Sequence, residues 1–378
     1  MKVLILSCNT GEGHNSCAAA LEEECRNQNI PCDTEDALRF ISPEVSRFIS
    51  NWHVRIYRHA PGLFRVGYRA AEDHPAQFHE GSALYRYLTQ GAEKLCGFIA
   101  GGGYDTVICT HTFAALMVSE VVKTHLPSLK TCFIATDYTC SPSVKDSSLD
   151  RYFIPASSLS GDFLGGGVTS ERLRACGIPV RQMFRSSVRK EDAKRAFGIP
   201  ANHKHLVMMC GSMGCGPIMS IARRIGRDLP DDQDLTIVCG TNKQLYRRLQ
   251  RRFYDVKNVH VRSYVKDMAL LMDSADLYLT KPGGISVTEA ASMRLPMVFI
   301  DAVAGCEEYN KDFFLRTGGA VTGQTPKEIA RTSLRLLSDK DALEKMGDAL
   351  DAAVPHNAAA NILSEMSEAE EEKEEGLA

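Results

Sequence analysis

Apolar and polar positions along this chain come in blocks. Short continuous apolar runs at Lys2 to Ser7, Asp105 to Thr110 and Leu129 to Ala135 read as buried strands, and helical patterns follow from about Asn15 and through Val122. Strands of this kind alternating with helices predict parallel sheets covered by helices. The pattern restarts after Ile178-Pro179-Val180, with strand-like runs at Lys204 to Cys210, Leu235 to Gly240, His260 to Val265, Leu277 to Thr280 and Met297 to Ile300. The expected architecture is α/β, with two doubly wound Rossmann-like domains, residues 1–185 and 186–355, facing across a cleft. Gly165 to Gly167 and Ser141 to Asp150 read as loops of the first domain. Residues 356–378 read as a helix end and acidic tail, Glu368 to Glu375 being almost wholly acidic.

The candidate chemistry sits where predicted strands end, the rim at which doubly wound sheets bind ligands. After the first strand comes Gly11-Glu12-Gly13-His14, which lacks the third glycine of a dinucleotide fingerprint, because Ser16 stands in its place. A histidine at a helix N-terminus above such a loop suits a general base or a helix cap. Gly211-Ser212-Met213-Gly214 is a second glycine-rich turn, without the Gly-Lys-Ser/Thr ending of an ATPase loop. Pro282-Gly283-Gly284 is a third, and the spacing from Ser286 to Glu289 fits a capping box that would open a helix under a diphosphate. Glu289 either caps its own helix or meets a ligand. Glu307, Glu308 and Asn310 suit sugar hydroxyls. Asp232 and Asp234 form an Asp-x-Asp that reads as a surface turn, not a metal site.

Composition narrows the picture. At 378 residues the chain exceeds what one core usually fills, and 44% hydrophobic with 24% charged residues describes an ordinary soluble globular protein. A net charge of -3 gives no global pull toward nucleic acid, so an anionic partner needs a local patch. The 13 cysteines contain no metal-type spacing, and Cys109, Cys132, Cys210 and Cys239 read as reduced core residues of a cytosolic protein. No apolar run is long enough for a signal peptide or a membrane span. Arg39 to Arg69 carries six arginines against Glu44 alone, interleaved with Trp52, Phe64 and other apolar residues. With Arg55 and Arg65, these suit the headgroup boundary of an anionic membrane, or else a helix packed on its own domain with a solvated arginine face. Arg247, Arg248, Arg251 and Arg252 form a second basic cluster, read as solvent-facing.

Taken in register, Gly11 to His14, Thr110-His111, Ala135-Thr136-Asp137-Tyr138, Gly177 to Val180, Gly211 to Gly214 and Pro282 to Glu289 resemble the bacterial and plant synthases that build monogalactosyl- or glucosyl-diacylglycerol. These are relatives of the N-acetylglucosaminyltransferase that makes lipid II, and the resemblance spans about residues 2 to 345. It implies the two-domain GT-B fold and an inverting hexosyltransferase that moves sugar from a UDP-hexose to a membrane lipid, diacylglycerol first among acceptors. No obligatory cofactor or metal is implied, and the enzyme would sit on the inner face of the cell membrane. By that likeness His14 is the base, with Asp137 orienting or replacing it. Gly211, Ser212, Gly214, Gly283, Gly284 and Ser286 would meet the diphosphate, with Arg181 neutralising it. Glu289 would bind ribose, the backbone near Val265 uracil, and Glu307 and Asn310 the sugar. Gly13, His111, Trp52, Arg55, Phe64 and Arg65 would face acceptor and membrane. Gly305-Cys306-Glu307 departs from the Gly-Gln-Glu common in relatives, which leaves the sugar open. A UDP-sugar 2-epimerase and a UDP-sugar sensor are the competing readings, and a nicotinamide dehydrogenase the weakest.

Overall fold

The structure, a computed structural model, describes residues 1–9, 12–47, 66, 69–70, 73–185, 187–211, 214, 216–300 and 305–375. Two compact units emerge: Met1–Arg181 with Pro355–Ala378 and a short piece at Cys306, and Gln182–Val303 with Glu307–Val354.

In the first unit, β1 (Val3–Ser7) leads into helix α1 (Glu12–Asn27), then β2 (Cys32–Asp36), β3 (Thr106–Cys109), helix α2 (Thr112–Thr124), β4 (Lys130–Ile134), β5 (Arg151–Phe153) and β6 (Leu173–Arg174). All neighbours pair in parallel, in the order β2-β1-β3-β4-β5-β6. Leaving β1, the chain adds β2 on one side and returns to place β3 on the other. The crevice between the ends of β1 and β3 is therefore the switch point of this sheet.

The second unit repeats the plan with β7 (Lys204–Met209), α3 (Ile218–Asp228), β8 (Gln233–Val238), α4 (Lys243–Arg252), β9 (Val259–Arg262), β10 (Leu277–Thr280), α5 (Gly284–Ser292), β11 (Met297–Phe299), α6 (Cys306–Thr317) and β12 (Ala320–Thr322). Its order, β12-β11-β10-β7-β8-β9, puts the switch point between β7 and β10. The core joins β7, β8 and β10 to α3 and the helix Pro326–Leu337 through Leu206, Ile221, Ile225, Ile237, Leu279 and Leu337, none exposed. The chain then ends in α7 (Ala358–Glu375), which buries Ile362, Leu363 and Met366. This is more than a helix end with a tail: α7 packs on α1 and β4, and its Glu365 pairs with Arg174 at 3.0 Å.

Cys109, Cys132, Cys210 and Cys239 are all buried, no disulfide joins them, and burial pushes Cys239 up to about 12. The surface-turn reading of Asp234 is corrected. It lies within β8 at 2% exposure, its two oxygens accepting from His203 Nδ1 at 2.7 Å and His260 Nε2 at 2.6 Å. The strand starts before its apolar run, and two imidazoles satisfy the buried carboxylate.

His205, at the start of β7, is fully enclosed, with Nδ1 3.0 Å from Ser274 Oγ and Nε2 2.8 Å from Thr236 Oγ1. Burial pushes its pKa down to about 4. Folded and neutral, it competes with an unfolded chain that takes up a proton near pH 6.5, so stability present above that pH is lost as pH falls toward 4. The loss amounts to about 3 kcal/mol. Urea midpoints across this window are expected to fall with acidification and to fall less steeply in His205→Gln; equal slopes would refute a buried neutral imidazole.

Candidate functional site

Three loops of the first unit meet at its switch point. His14, in the first turn of α1, is half-buried, and its Nδ1 lies 2.8 Å from the Thr110 carbonyl oxygen and 3.0 Å from Thr136 Oγ1. A carbonyl only accepts, so the neutral ring carries its proton on Nδ1 and keeps the lone pair on Nε2. The Thr110 hydroxyl returns a bond to the His14 carbonyl at 3.3 Å. His111 stands edge-on to His14, ring centroids 4.5 Å apart. It is the N-cap of α2, with its Nδ1 accepting from the Phe113 amide at 3.0 Å, which leaves its proton on Nε2. Two adjacent imidazoles are thus held in opposite tautomers, one offering a lone pair and the other an N–H.

Gly13 lies beside His14 in the same turn, and Asp137 follows Thr136, half-buried at the end of β4. In the structure the Thr110 carbonyl and Thr136 hold His14 Nδ1. Thr136 stands in the quoted motif but carried no role, because a threonine has no charge to draw notice. The turn after β1 is braced by side chains: Ser7 Oγ donates to Asn15 Oδ1 (2.7 Å), Asn15 Nδ2 to Asn9 Oδ1 (3.1 Å), and Asn9 Nδ2 to Asp36 Oδ2 (3.0 Å).

In the second unit the turns after β7 and β10 flank the switch point. Gly214 has φ +55°, and a Cβ there would sit 2.4 Å from the Cys239 carbonyl oxygen, so only glycine fits. Asn242 fixes this turn, donating from Nδ2 to the Gly214 carbonyl at 3.1 Å while its Oδ1 caps α4 through the Leu245 amide at 2.9 Å. Beside it, Lys281 is buried, its Cε 3.5 Å from where a Cβ on Gly216 would lie. Neither Asn242 nor Lys281 was picked out from sequence, since a cap and a strand-end lysine look ordinary.

The capping-box reading is corrected. Helix α5 begins at Gly284 with Gly283 as N-cap and no side-chain cap, so Ser286 and Glu289 lie inside the helix, both half-buried. The box spacing is met, but the helix opens three residues earlier, at the glycines. A Cβ on Gly283 would meet nothing within 4 Å among the described residues, and the helix begins with no side chain capping its first-turn amides. Asn310, fully buried on α6, donates from Nδ2 to the Pro282 carbonyl at 2.9 Å and so holds this turn from beneath. Glu307 is buried at the start of the same helix. Gly211 (φ +66°) opens the β7 turn, Val265 is half-buried after β9, and Arg181 is half-buried at the end of the first unit. Trp52, Arg55, Phe64, Arg65 and Ser212 lie outside the described residues.

Comparison with known proteins meets this geometry in both halves. The family model described as monogalactosyldiacylglycerol (MGDG) synthase matches residues 14–180, and the glycosyl transferases group 1 model matches 222–351. The chain is 24% identical over 375 residues to a processive diacylglycerol beta-glucosyltransferase of Bacillus pumilus, covering 97% of this chain and 94% of that one. With the protein of that name from Bacillus subtilis it shares 25% over 351 residues, 91% and 89% of the two chains. Among solved structures it is similar to Acinetobacter baumannii MurG, with TM-score 0.65 and 15% identity over 97% of this chain and 100% of that one. The UDP-GlcNAc 2-epimerase of Neisseria meningitidis bound to UDP-GlcNAc gives 0.61 and 15% over the same shares. These likenesses bear out the expected architecture of two doubly wound domains of the GT-B class, and the resemblance to the diacylglycerol glycosyltransferases.

Proposed function

From the premise that this chain is a glycosyltransferase of the GT-B fold, we propose that it transfers a hexose from a UDP-sugar to the hydroxyl of a membrane lipid, diacylglycerol in the first instance, with inversion. The observation that carries this reading is His14, fixed at a switch point with Nδ1 on the Thr110 carbonyl, which makes Nε2 its basic nitrogen. An alcohol is a poor nucleophile and needs a base as its oxygen closes on the anomeric carbon. The acceptor proton passes to Nε2, the new C–O bond forms, and the bond to the UDP oxygen breaks with its electron pair leaving on the diphosphate. The leaving charge is met by the first-turn amides of α5, the turn at Gly211 and Gly214, and Arg181, each such donor being worth roughly 3 kcal/mol in comparable sites. Glu289 is assigned to the ribose hydroxyls, the backbone near Val265 to uracil, and Glu307 to the sugar.

The site of action is the cytoplasmic face of a membrane, reached peripherally; among the described residues no helix is long and apolar enough to cross one. The reading is tested by UDP release from UDP-glucose, UDP-galactose or UDP-N-acetylglucosamine, with and without vesicles carrying diacylglycerol. Release that requires one donor and the lipid together, with a matching glycolipid, is the expected result. Epimerised UDP-sugar formed without lipid would replace the reading with that of an isomerase.

A further inference from the structure

Helix α4, on the second unit, carries Lys243, Arg247, Arg248, Arg251 and Arg252 within ten residues, all exposed. None of the five has an ion-pair partner among the described residues, and no Asp or Glu occurs between Leu235 and Tyr254. Several other exposed arginines on the surface are matched. Arg227 pairs with Asp228 at 2.7 Å, Arg26 with Glu22 at 3.2 Å, and Arg195 and Arg294 with Asp192 and Asp348.

The helix has no freedom to turn these charges away. Leu249 and Phe253 are buried, Leu245 and Tyr246 pack on the same core, and Gln250 Nε2 donates to the Val261 carbonyl of edge strand β9 at 3.2 Å. Two tyrosines nearby in the chain are exposed, Tyr254 just past the end of α4 at 85% and Tyr264 just past β9 at 68%. Unmatched arginines and exposed phenol rings on the same unit fit a surface that offers both phosphate oxygens and an amphipathic boundary layer.

We propose that this face of α4 binds an anionic membrane, giving the second unit a lipid contact of its own. The choice of a bilayer over a nucleic acid rests on the lipid-acceptor reading and on the exposed tyrosines, the net charge of -3 adding no long-range pull toward a polyanion. The contact uses residues remote in sequence from Arg39 to Arg69, so it does not depend on that segment.

The test uses the full chain and vesicles of phosphatidylcholine with or without phosphatidylglycerol, measuring co-sedimentation at low and high salt. Binding that needs phosphatidylglycerol and weakens with salt is expected. Each basic residue near such a surface is worth about fivefold in partitioning, so a variant with Arg247, Arg248, Arg251 and Arg252 all changed to Gln is expected to lose at least about tenfold. UDP binding by this variant should match the parent, which separates loss of the patch from loss of the fold. Unchanged vesicle binding in the variant would overturn the proposal, as would tighter binding to an RNA oligonucleotide than to the vesicles at equal salt. Vesicle binding lost in the variant, in a protein that makes no glycolipid, would leave the patch standing and remove the acceptor reading alone.

Discussion

Replacing His14 by alanine is expected to lower kcat by about 10²- to 10⁴-fold while leaving UDP affinity unchanged. The magnitude is that of a positioned general base, and its basis is a tautomer. Because the Thr110 carbonyl claims the Nδ1 proton, the ring need not reorganise before Nε2 receives another. Thr136→Val should cost far less, about fivefold, by removing one of the two groups that orient the ring. The check is kcat beside UDP affinity for both variants. Turnover retained in His14→Ala would move the base to Asp137, and Asp137→Asn would then show the large loss.

The second large effect is expected at Gly214. Alanine there must carry a left-handed φ and also place a methyl 2.4 Å from the Cys239 carbonyl, a backbone atom that cannot swing aside. Gly211 has the same sign of φ, at +66°, but a Cβ on it meets nothing within 4 Å among the described residues. Gly211→Ala therefore isolates the conformational cost, about 1 kcal/mol, or roughly fivefold in any property that needs the turn. Gly214→Ala adds a displacement of the loop, and donor affinity should fall by a further tenfold or more, since backbone strain of this kind is worth about 1–3 kcal/mol. Titration with UDP separates the two, and equal effects would mean that the turn is not a donor contact.

The sheets were legible where strands are buried on both faces. β1, β3, β4, β7, β10 and β11 appear as apolar runs within a residue or two of their ends, because a central parallel strand has no solvent face to mark it otherwise. β2 was missed for the opposite reason. Cys32–Asp36 is an edge strand reading Cys-Asp-Thr-Glu-Asp, partly open to water, and only its pairing with β1 makes it a strand. β5, β6 and β12 are two or three residues long and carry too little pattern to register. Within the site, glycines and histidines signalled themselves through the backbone and chemistry they permit. Thr136 and Asn242 did not, because each acts through a hydrogen bond to a partner far away in the chain, and the bond from Asn310 to the Pro282 carbonyl was hidden for the same reason.

The return of α7 to the first unit bears on how the chain folds as it is made. Ser367 Oγ lies 3.8 Å from Met1 Sδ, a separation of 366 residues, and Glu365 pairs with Arg174. The sheet that holds His14 cannot complete its surroundings until the last helix leaves the ribosome, whereas residues 182–354 contain a whole sheet with its own core. The later unit can thus close on contacts within itself, whereas the earlier one waits on contacts such as that between Met1 and Ser367, 366 residues apart.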